Sequence, residues 1–275
     1  MENKTTPFFT PLNKMTFVLA IMLLIALIKP VYFSLFQGEA YNYVTLVSSA
    51  TVLIVGIFTF AFLKFTTNQK KSWPNLLTTL LILALLVQPL SLATAKDFLL
   101  LALIPVIAVC LKFYGVYKGR PLLNPAVAAA FIVPLFEPSI LISWWGVNPL
   151  GYYSFLPLLI WLFWGFLSWR KTWLAASFLL AFAGMGALLN GEKFLPILTD
   201  PTVYFLALVM LVEPKTSPVK RNQQIAAGVF VGVLMVNLLN VGALQPYLVP
   251  LLAMNILYFF NGLAASISAA KSKNL

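Results

Sequence analysis

The chain contains no histidine, a single cysteine and only 7 acidic residues among its 275 positions. The lack of histidine excludes haem ligation by that residue, histidine proton relays and histidine-rich metal sites. The lone thiol of Cys110 supports neither a disulfide framework nor a cysteine-ligated cluster within one chain. The sequence also has no Walker loop, no GxSxG motif and no carboxylates at catalytic spacing, so it indicates none of these common catalytic or metal sites.

Charge is scarce as well, because only 9% of the residues are charged, whereas a soluble domain has about 25%. With 61% hydrophobic residues and a mean hydropathy of +0.94, the chain cannot cover a water-facing surface. This excludes a soluble globular protein, a disordered chain and a nucleic-acid binder. Uncharged apolar runs of roughly 20 residues instead predict an all-α polytopic membrane protein.

The apolar runs predict ten transmembrane helices, of which the fifth and the eighth are the least regular. Their predicted bounds are 15–36, 43–65, 75–94, 97–114, 125–143, 152–169, 172–189, 195–212, 225–241 and 246–266. We expect a cytoplasmic tail at 1–14, a first five-helix repeat at 15–143, an external loop at 144–151, a second repeat at 152–266 and a cytoplasmic tail at 267–275.

The basic residues orient these helices. If both termini are cytoplasmic, fifteen of the 18 basic residues fall inside: Lys4, Lys14, Lys64, Lys70, Lys71, Lys112, Lys118, Arg120, Arg170, Lys171, Lys215, Lys220, Arg221, Lys271 and Lys273. The external side keeps Lys96 and Lys193, together with Lys29 near the outer end of the first helix. This positive-inside pattern predicts a multi-pass protein of the cell membrane with both termini in the cytoplasm. The net charge of +11 is therefore a topology signal.

Two short motifs recur in the second half of the chain. Leu86–Pro89 ends the third helix and Leu211–Pro214 ends the eighth, while Leu123–Pro125 opens the fifth and Leu244–Pro246 opens the tenth. The similar offsets predict two copies of a five-helix unit. Because five is odd, the second copy must be inverted in the membrane, as in many transporters.

Polar residues cluster at the predicted breaks in the helices. Asn124 followed by Pro125 makes a good helix start, and the nearby Arg120 would make it an anion site. The alternative is a capped helix with an arginine at the lipid surface. Asp200 before Pro201 is similarly either a helix cap or, at greater depth, a functional carboxylate.

The Glu213–Pro218 segment contains two prolines and predicts a shaped turn rather than a slack loop.

Three amides are predicted at membrane depth: Asn237, Asn240 and Asn255. They either form interhelical hydrogen bonds or serve a polar ring system between the two halves. We expect Asn124, Asp200 and Asn255 to line one polar cavity there.

These motifs carry a resemblance to a known family. Residues 118–126 resemble the Gly-(Lys/Arg)-x-x-x-Asn-Pro-Ala signature of the RnfD/NqrB family, which comprises membrane components of Rnf-type electron-transport complexes and of the sodium-translocating NADH:quinone reductase. Residues 213–218 resemble the (Asp/Glu)-Pro-x-Thr-(Ser/Thr)-Pro turn of that family, and 251–255 resemble its Leu-x-Met-Asn segment. The order and spacing of the motifs fit over about residues 75–266.

The resemblance implies two inverted five-helix repeats, similar to those of urea and ammonium transporters. It implies membrane electron transfer through flavins in an ion-translocating complex, with other membrane subunits and an extracytoplasmic flavoprotein as partners. Members of the family that carry covalent FMN have a Ser-Gly-Ala-Thr acceptor, which this chain lacks, so we expect no covalent FMN. Either a noncovalent flavin, FMN or riboflavin, binds to the chain, or electrons pass through its partners. The candidate cofactor-binding residues are Gly119, Arg120, Asn124, Asp200, Glu213, Lys215, Thr216 and Asn255.

Two other classes of function fit the same sequence. A transporter or channel for a small solute or for a flavin, with no redox role, agrees equally well with an inverted repeat. A structural scaffold that has lost its binding site is the third hypothesis. The fold alone does not decide among them, because one fold hosts many functions.

Overall fold

The computed structural model describes residues 10–37, 43–69, 71–90, 94–117, 120–137, 142–147 and 151–271. The α-helices are α1 Pro11–Gln37, α2 Val44–Thr67, α3 Trp73–Leu86, α4 Ala95–Tyr114, α5 Pro125–Phe136, α6 Phe155–Trp164, α7 Thr172–Asn190, α8 Leu195–Leu198, α9 Pro201–Phe205, α10 Arg221–Asn240 and α11 Leu248–Lys271. A π-helical turn, Leu206–Met210, continues α9. Two short antiparallel strands, β1 Val116–Tyr117 and β2 Arg120–Pro121, lie between α4 and α5.

Five helical segments are long and apolar enough to cross a membrane, which agrees with the predicted all-α membrane protein. They are Pro11–Lys29, Val44–Thr67, Ala95–Tyr114, Thr172–Leu198 and Arg221–Asn240. Five shorter apolar helices lie among them: Trp73–Leu86, Pro125–Phe136, Phe155–Trp164, Pro201–Met210 and Leu248–Gly262. Each predicted span overlaps one of these segments.

In the two least regular predicted spans, the fifth and the eighth, the helices are shorter than the sequence predicts. The fifth ends at Phe136 instead of continuing to residue 143, because Glu137 adopts an extended conformation just before Pro138. The eighth is interrupted at Asp200, whose extended backbone separates α8 from α9. A helix of 12 residues such as α5 rises only about 18 Å, less than the roughly 30 Å of a hydrocarbon core.

Several helix–helix contacts recur between the two halves. In the first half α1 contacts α3, α2 contacts α4 and α4 contacts α5. In the second half α6 contacts α9, α7 contacts α10 and α10 contacts α11. Between the halves, α1 contacts α6 and α5 contacts α11. Three helix–helix contacts of the first half thus have a counterpart in the second half.

The centre of the molecule is dry and apolar. Residues Ala126–Ala130 of α5 and the run Phe205–Leu211 are almost completely buried. The π-helical turn leaves backbone groups that its own helix does not satisfy, and the Trp161 indole donates to the Leu208 carbonyl at 2.8 Å. This packing holds the middle of the chain firmly and positions the polar residues at its ends.

Nine of the described basic residues lie at one end of the molecule. Hydrogen bonds join the helix ends there: Lys14 Nζ to the Trp164 carbonyl, the Thr16 hydroxyl to the Thr78 hydroxyl, Lys112 Nζ to the Asn75 carbonyl, Lys171 Nζ to the Ser217 carbonyl and Gln224 Nε2 to the Arg170 carbonyl. We call this the basic end, defined by Lys14, Lys64, Lys71, Lys112, Arg170, Lys171, Lys215, Lys220 and Arg221. At the opposite end Lys96 pairs with Glu137 at 2.8 Å.

Candidate functional site

Asn124 starts α5 and connects it to the second half of the chain. Its Oδ1 accepts hydrogen bonds from the backbone N–H groups of Ala126 and Val127, at 3.0 and 3.3 Å. The predicted helix cap is therefore confirmed. Its own backbone N–H donates to Asn255 Oδ1 at 2.9 Å, and both asparagines are buried.

Asn255 extends this contact into a network. Its Nδ2 donates to the Thr216 carbonyl at 3.2 Å, and the Thr216 hydroxyl donates to Glu213 Oε2 at 2.8 Å. The network joins α5, α11 and the turn after Met210. Buried polar groups that satisfy one another in this way specify a unique arrangement of the chain, since any broken link leaves a costly unpaired group.

The Glu213–Pro218 segment is a shaped turn, as predicted. The Ser217 hydroxyl donates to the Glu213 carbonyl at 2.7 Å. The Lys171 ammonium group, buried at the start of α7, donates to the carbonyls of Ser217 and Pro218 at 3.1 and 2.6 Å. The turn is thus held by side chains from other parts of the fold.

The buried Lys171 predicts a pH dependence of stability. Burial lowers the pKa of its ammonium group to about 8, from the ordinary value of 10.5. Between these values the unfolded chain binds more protons than the folded one, so the free energy of unfolding should rise with pH, by about 1–3 kcal/mol. Lys171→Met should reduce this rise. Thermal unfolding in detergent between about pH 7.5 and about pH 10 measures it, and identical pH profiles for both proteins would contradict the prediction.

A cleft lies beside the network at the basic end. It is open to the surface, and its cavity volume is about 60 Å³. Its lining consists of Phe60, Lys71, Ser72, Asn75, Lys112, Val116, Pro121, Pro125, Glu213 and Lys215. The cleft therefore combines apolar walls with four charged groups, three ammonium groups and one carboxylate.

The charged groups of the cleft influence one another. Burial raises the pKa of the Glu213 carboxyl, whereas the nearby Lys112 and the hydrogen bond from Thr216 act in the opposite direction. Burial lowers the pKa of the Lys71 ammonium group, and the positive charge of Lys215 lowers it further. The positive charge of Lys215 beside Lys71 disfavours a second positive charge there, so the cleft suits an anion better than a cation.

The other predicted site residues lie elsewhere. Asp200 caps α9, accepting from the Thr202 N–H at 2.8 Å, and is separated from the Glu213 turn by a helical segment about 15 Å long. The structure therefore does not bring Asp200 to the network. Gly119 and the side chain of Arg120 lie outside the described residues. Asn237 bonds the Val233 carbonyl of its own helix, and Asn240 is exposed.

Sequence reasoning missed three residues of this region. Lys71, Asn75 and Lys112 line the cleft, and Lys112 Nζ donates to the Asn75 carbonyl and Oδ1 at 2.7 and 3.1 Å. Both lysines contribute to the positive-inside pattern, which explains them without any role in binding. Their positions in the sequence gave one indication, because they lie near predicted helix ends on the same side of the membrane.

Comparison of the chain with models of known protein families and with curated proteins finds no match. Among the described residues, no group of three or more cysteine or acidic side chains is arranged to hold a metal ion. A function can therefore be proposed only from the network, the cleft and the motif resemblance.

Proposed function

We propose that this chain is an integral-membrane subunit of a flavin-dependent electron-transport complex, built from ten membrane segments in two inverted five-helix repeats. The repeat is supported by three helix–helix contacts that recur in both halves. It is also supported by the paired sequence motifs before and after the short helices. Inverted repeats of this kind characteristically carry broken helices near the membrane midplane.

The observation that carries the proposal is the convergence of the motif residues. Asn124, Thr216, Glu213 and Asn255 come from the three motifs that resemble the RnfD/NqrB family, and they form one continuous hydrogen-bonded network. The three motifs are far apart in the sequence, and only the fold joins them. If the three motifs form one binding site, their residues must lie together in the fold, as the residues of this network do.

The lining of the cleft next to this network offers groups of the kinds that contact a noncovalent flavin. Val116 and Pro121 offer apolar contact to a flat ring system, and the lysines and Asn75 offer hydrogen-bonding groups. A bound flavin, FMN or riboflavin, would supply one- and two-electron redox chemistry. The protein residues would bind and orient it and exclude water from its ring.

The proposal extends to location and partners. The basic end faces the cytoplasm of a cell membrane, by the positive-inside rule, and both termini lie there. The apolar side chains exposed along the long helices, such as Phe58, Phe65 and Leu180, face lipid or other membrane subunits. On the external side the partner is an extracytoplasmic flavoprotein.

The orientation is tested by cysteine labelling. In a Cys110→Ala background, Lys193→Cys should react with an impermeant thiol reagent added to intact cells, because it lies after α7 at the end opposite the basic end. Lys220→Cys, which is exposed at the basic end, should react only after the cells are permeabilised. The reverse pattern would contradict the proposed orientation.

The flavin proposal is tested by titration of the purified protein in detergent. Saturable quenching of FMN or riboflavin fluorescence is expected, and Glu213→Gln, which perturbs the network, should weaken it about tenfold. As a control, Glu192→Gln removes the same charge at the opposite end and should have no effect. Unquenched flavin fluorescence at saturating protein would overturn the proposal.

The short, interrupted helices also favour a second candidate, a transporter for a small solute or flavin. Flavin uptake into proteoliposomes separates the two functions. A membrane protein of electron transport retains its flavin without moving it across the bilayer, whereas time-dependent uptake that requires the protein would support the transporter.

A further inference from the structure

The cleft holds more positive charge than the protein neutralises. Lys71 precedes α3, Lys112 lies in the last turn of α4 and Lys215 lies in the turn after Met210, so three separate segments supply one ammonium group each. Glu213 supplies the one carboxylate of the lining. With all four groups ionised, the cleft carries a net charge of +2.

Hydrogen bonding leaves this charge uncompensated. Lys112 donates to the neutral oxygens of Asn75, and the Glu213 carboxylate accepts from the Thr216 hydroxyl. Among the described residues, none of the three lysines forms an ion pair with Glu213, while the ion pair of Lys96 lies at the opposite end. Like charges gathered in a half-buried cleft repel one another, and a bound anion would relieve that repulsion.

The lining also supplies donors that suit a particular anion. Ser72 lines the cleft, and its hydroxyl makes no capping hydrogen bond to α3. The start of α3 adds the partial positive charge of a helix N-terminus. Lysine ammonium groups bind phosphate as mobile point charges, and a phosphate monoester carries about −1.5 to −2 charge at neutral pH, which matches the charge of the cleft.

We infer that the cleft binds a phosphate monoester through Lys71, Lys112 and Lys215, with the Ser72 hydroxyl as a further donor. The inference goes beyond the proposed function, because it holds whether or not the ligand carries a flavin ring. Two sources share this chemistry: a soluble phosphomonoester and the headgroup of phosphatidic acid. Both reach the basic end, where the cleft opens.

The test uses the full chain in nanodiscs of phosphatidylcholine, titrated with glycerol 3-phosphate by calorimetry. Saturable binding is expected, with no binding of glycerol. Lys71→Gln and Lys215→Gln should each weaken binding about tenfold, the loss of one charge-assisted hydrogen bond. Lys220→Gln is the matched control, because it removes an exposed lysine of the same end that does not line the cleft. It should change the affinity by less than about twofold.

A second arm identifies the source of the phosphate. Nanodiscs that contain phosphatidic acid should show reduced binding of glycerol 3-phosphate if the lipid headgroup occupies the cleft, and unchanged binding if the ligand is soluble. Either result supports the site. No saturable binding in either membrane, or an equal loss in Lys220→Gln, overturns it.

The binding test uses variants of Lys71 and Lys215 and leaves Lys112 unchanged. Lys112 is hydrogen-bonded to Asn75, so its replacement can disturb folding. Riboflavin has no phosphate, so its binding, measured in the same preparations, reports on the proposed flavin function alone. The phosphate site and the flavin function can therefore fail separately.

Discussion

Replacing Gly232 by leucine is expected to leave little folded protein in the membrane, because α7 and α10 pack backbone against backbone at this point. A Cβ atom at position 232 would lie 2.8 Å from the Phe178 carbonyl oxygen and 2.9 Å from the Phe182 nitrogen. Backbone atoms cannot move aside without separating the helices. Gly228, one turn earlier, meets α7 in the same way, since a Cβ atom added there would lie 2.5 Å from the Leu174 carbonyl oxygen.

Small residues at such positions are a common basis of helix association in membranes, because they allow the close approach that dispersion forces require. Overpacking costs about 1–3 kcal/mol when the surroundings can adjust, and more when only backbone is in contact. The folded fraction after detergent extraction, measured by size-exclusion chromatography, should therefore fall sharply for Gly232→Leu. Gly184→Leu is the control, because a Cβ atom at this position of α7 meets nothing within 4 Å. Equal yields of the two variants would contradict the packing.

Replacing Asn255 by leucine is expected to abolish flavin binding. The change leaves the buried Asn124 N–H and the Thr216 carbonyl without partners, at about 1–3 kcal/mol for each group, and releases the turn that holds Glu213. Asn255→Asp keeps the acceptor for the Asn124 N–H but loses the donor to Thr216. We therefore expect a smaller loss of affinity from the aspartate variant than from the leucine variant.

Asn237→Leu is the matched control for this prediction. It makes the same change at an exposed amide that bonds only within its own helix, so flavin affinity should stay unchanged. Bound flavin is released by denaturation and measured relative to the membrane-inserted protein in each preparation. Normal flavin content in Asn255→Leu would show that the network does not support the binding site.

Local features of the sequence were sufficient to predict the starts of the short helices. Asn124 and Asp200 each precede a proline, and a capping side chain bonds N–H groups only two or three residues away. The positive-inside pattern likewise depends on loop composition alone. Nine of the described basic residues lie at one end of the molecule, and the orientation of that end in a membrane stays a prediction. The helix positions and the polar caps follow closely from the sequence.

Long-range pairing was not predictable in the same way. A motif distinguished Asn255 from Asn237 and Asn240, but its partner could not be predicted. Only the packing of α11 against α5 brings Asn255 to Asn124, while Asn237 stays exposed. Asp200 lies at the start of α9, and α9 with its π-helical turn separates it along the chain from the Glu213 turn, so the single cavity that includes Asp200 stays a prediction. In the sequence, Lys112 counts only as one of the cytoplasmic basic residues. Its contact with Asn75 depends on the end of α4 meeting the start of α3.

The visible absorption spectrum of the protein, purified under mild conditions from a host that makes flavins, shows directly whether the chain binds a flavin. We expect the absorption bands of an oxidised flavin. These bands should disappear on reduction and should be absent from an Asn255→Leu preparation of equal folded yield. A colourless protein that acquires no such bands after incubation with FMN or riboflavin would contradict this expectation.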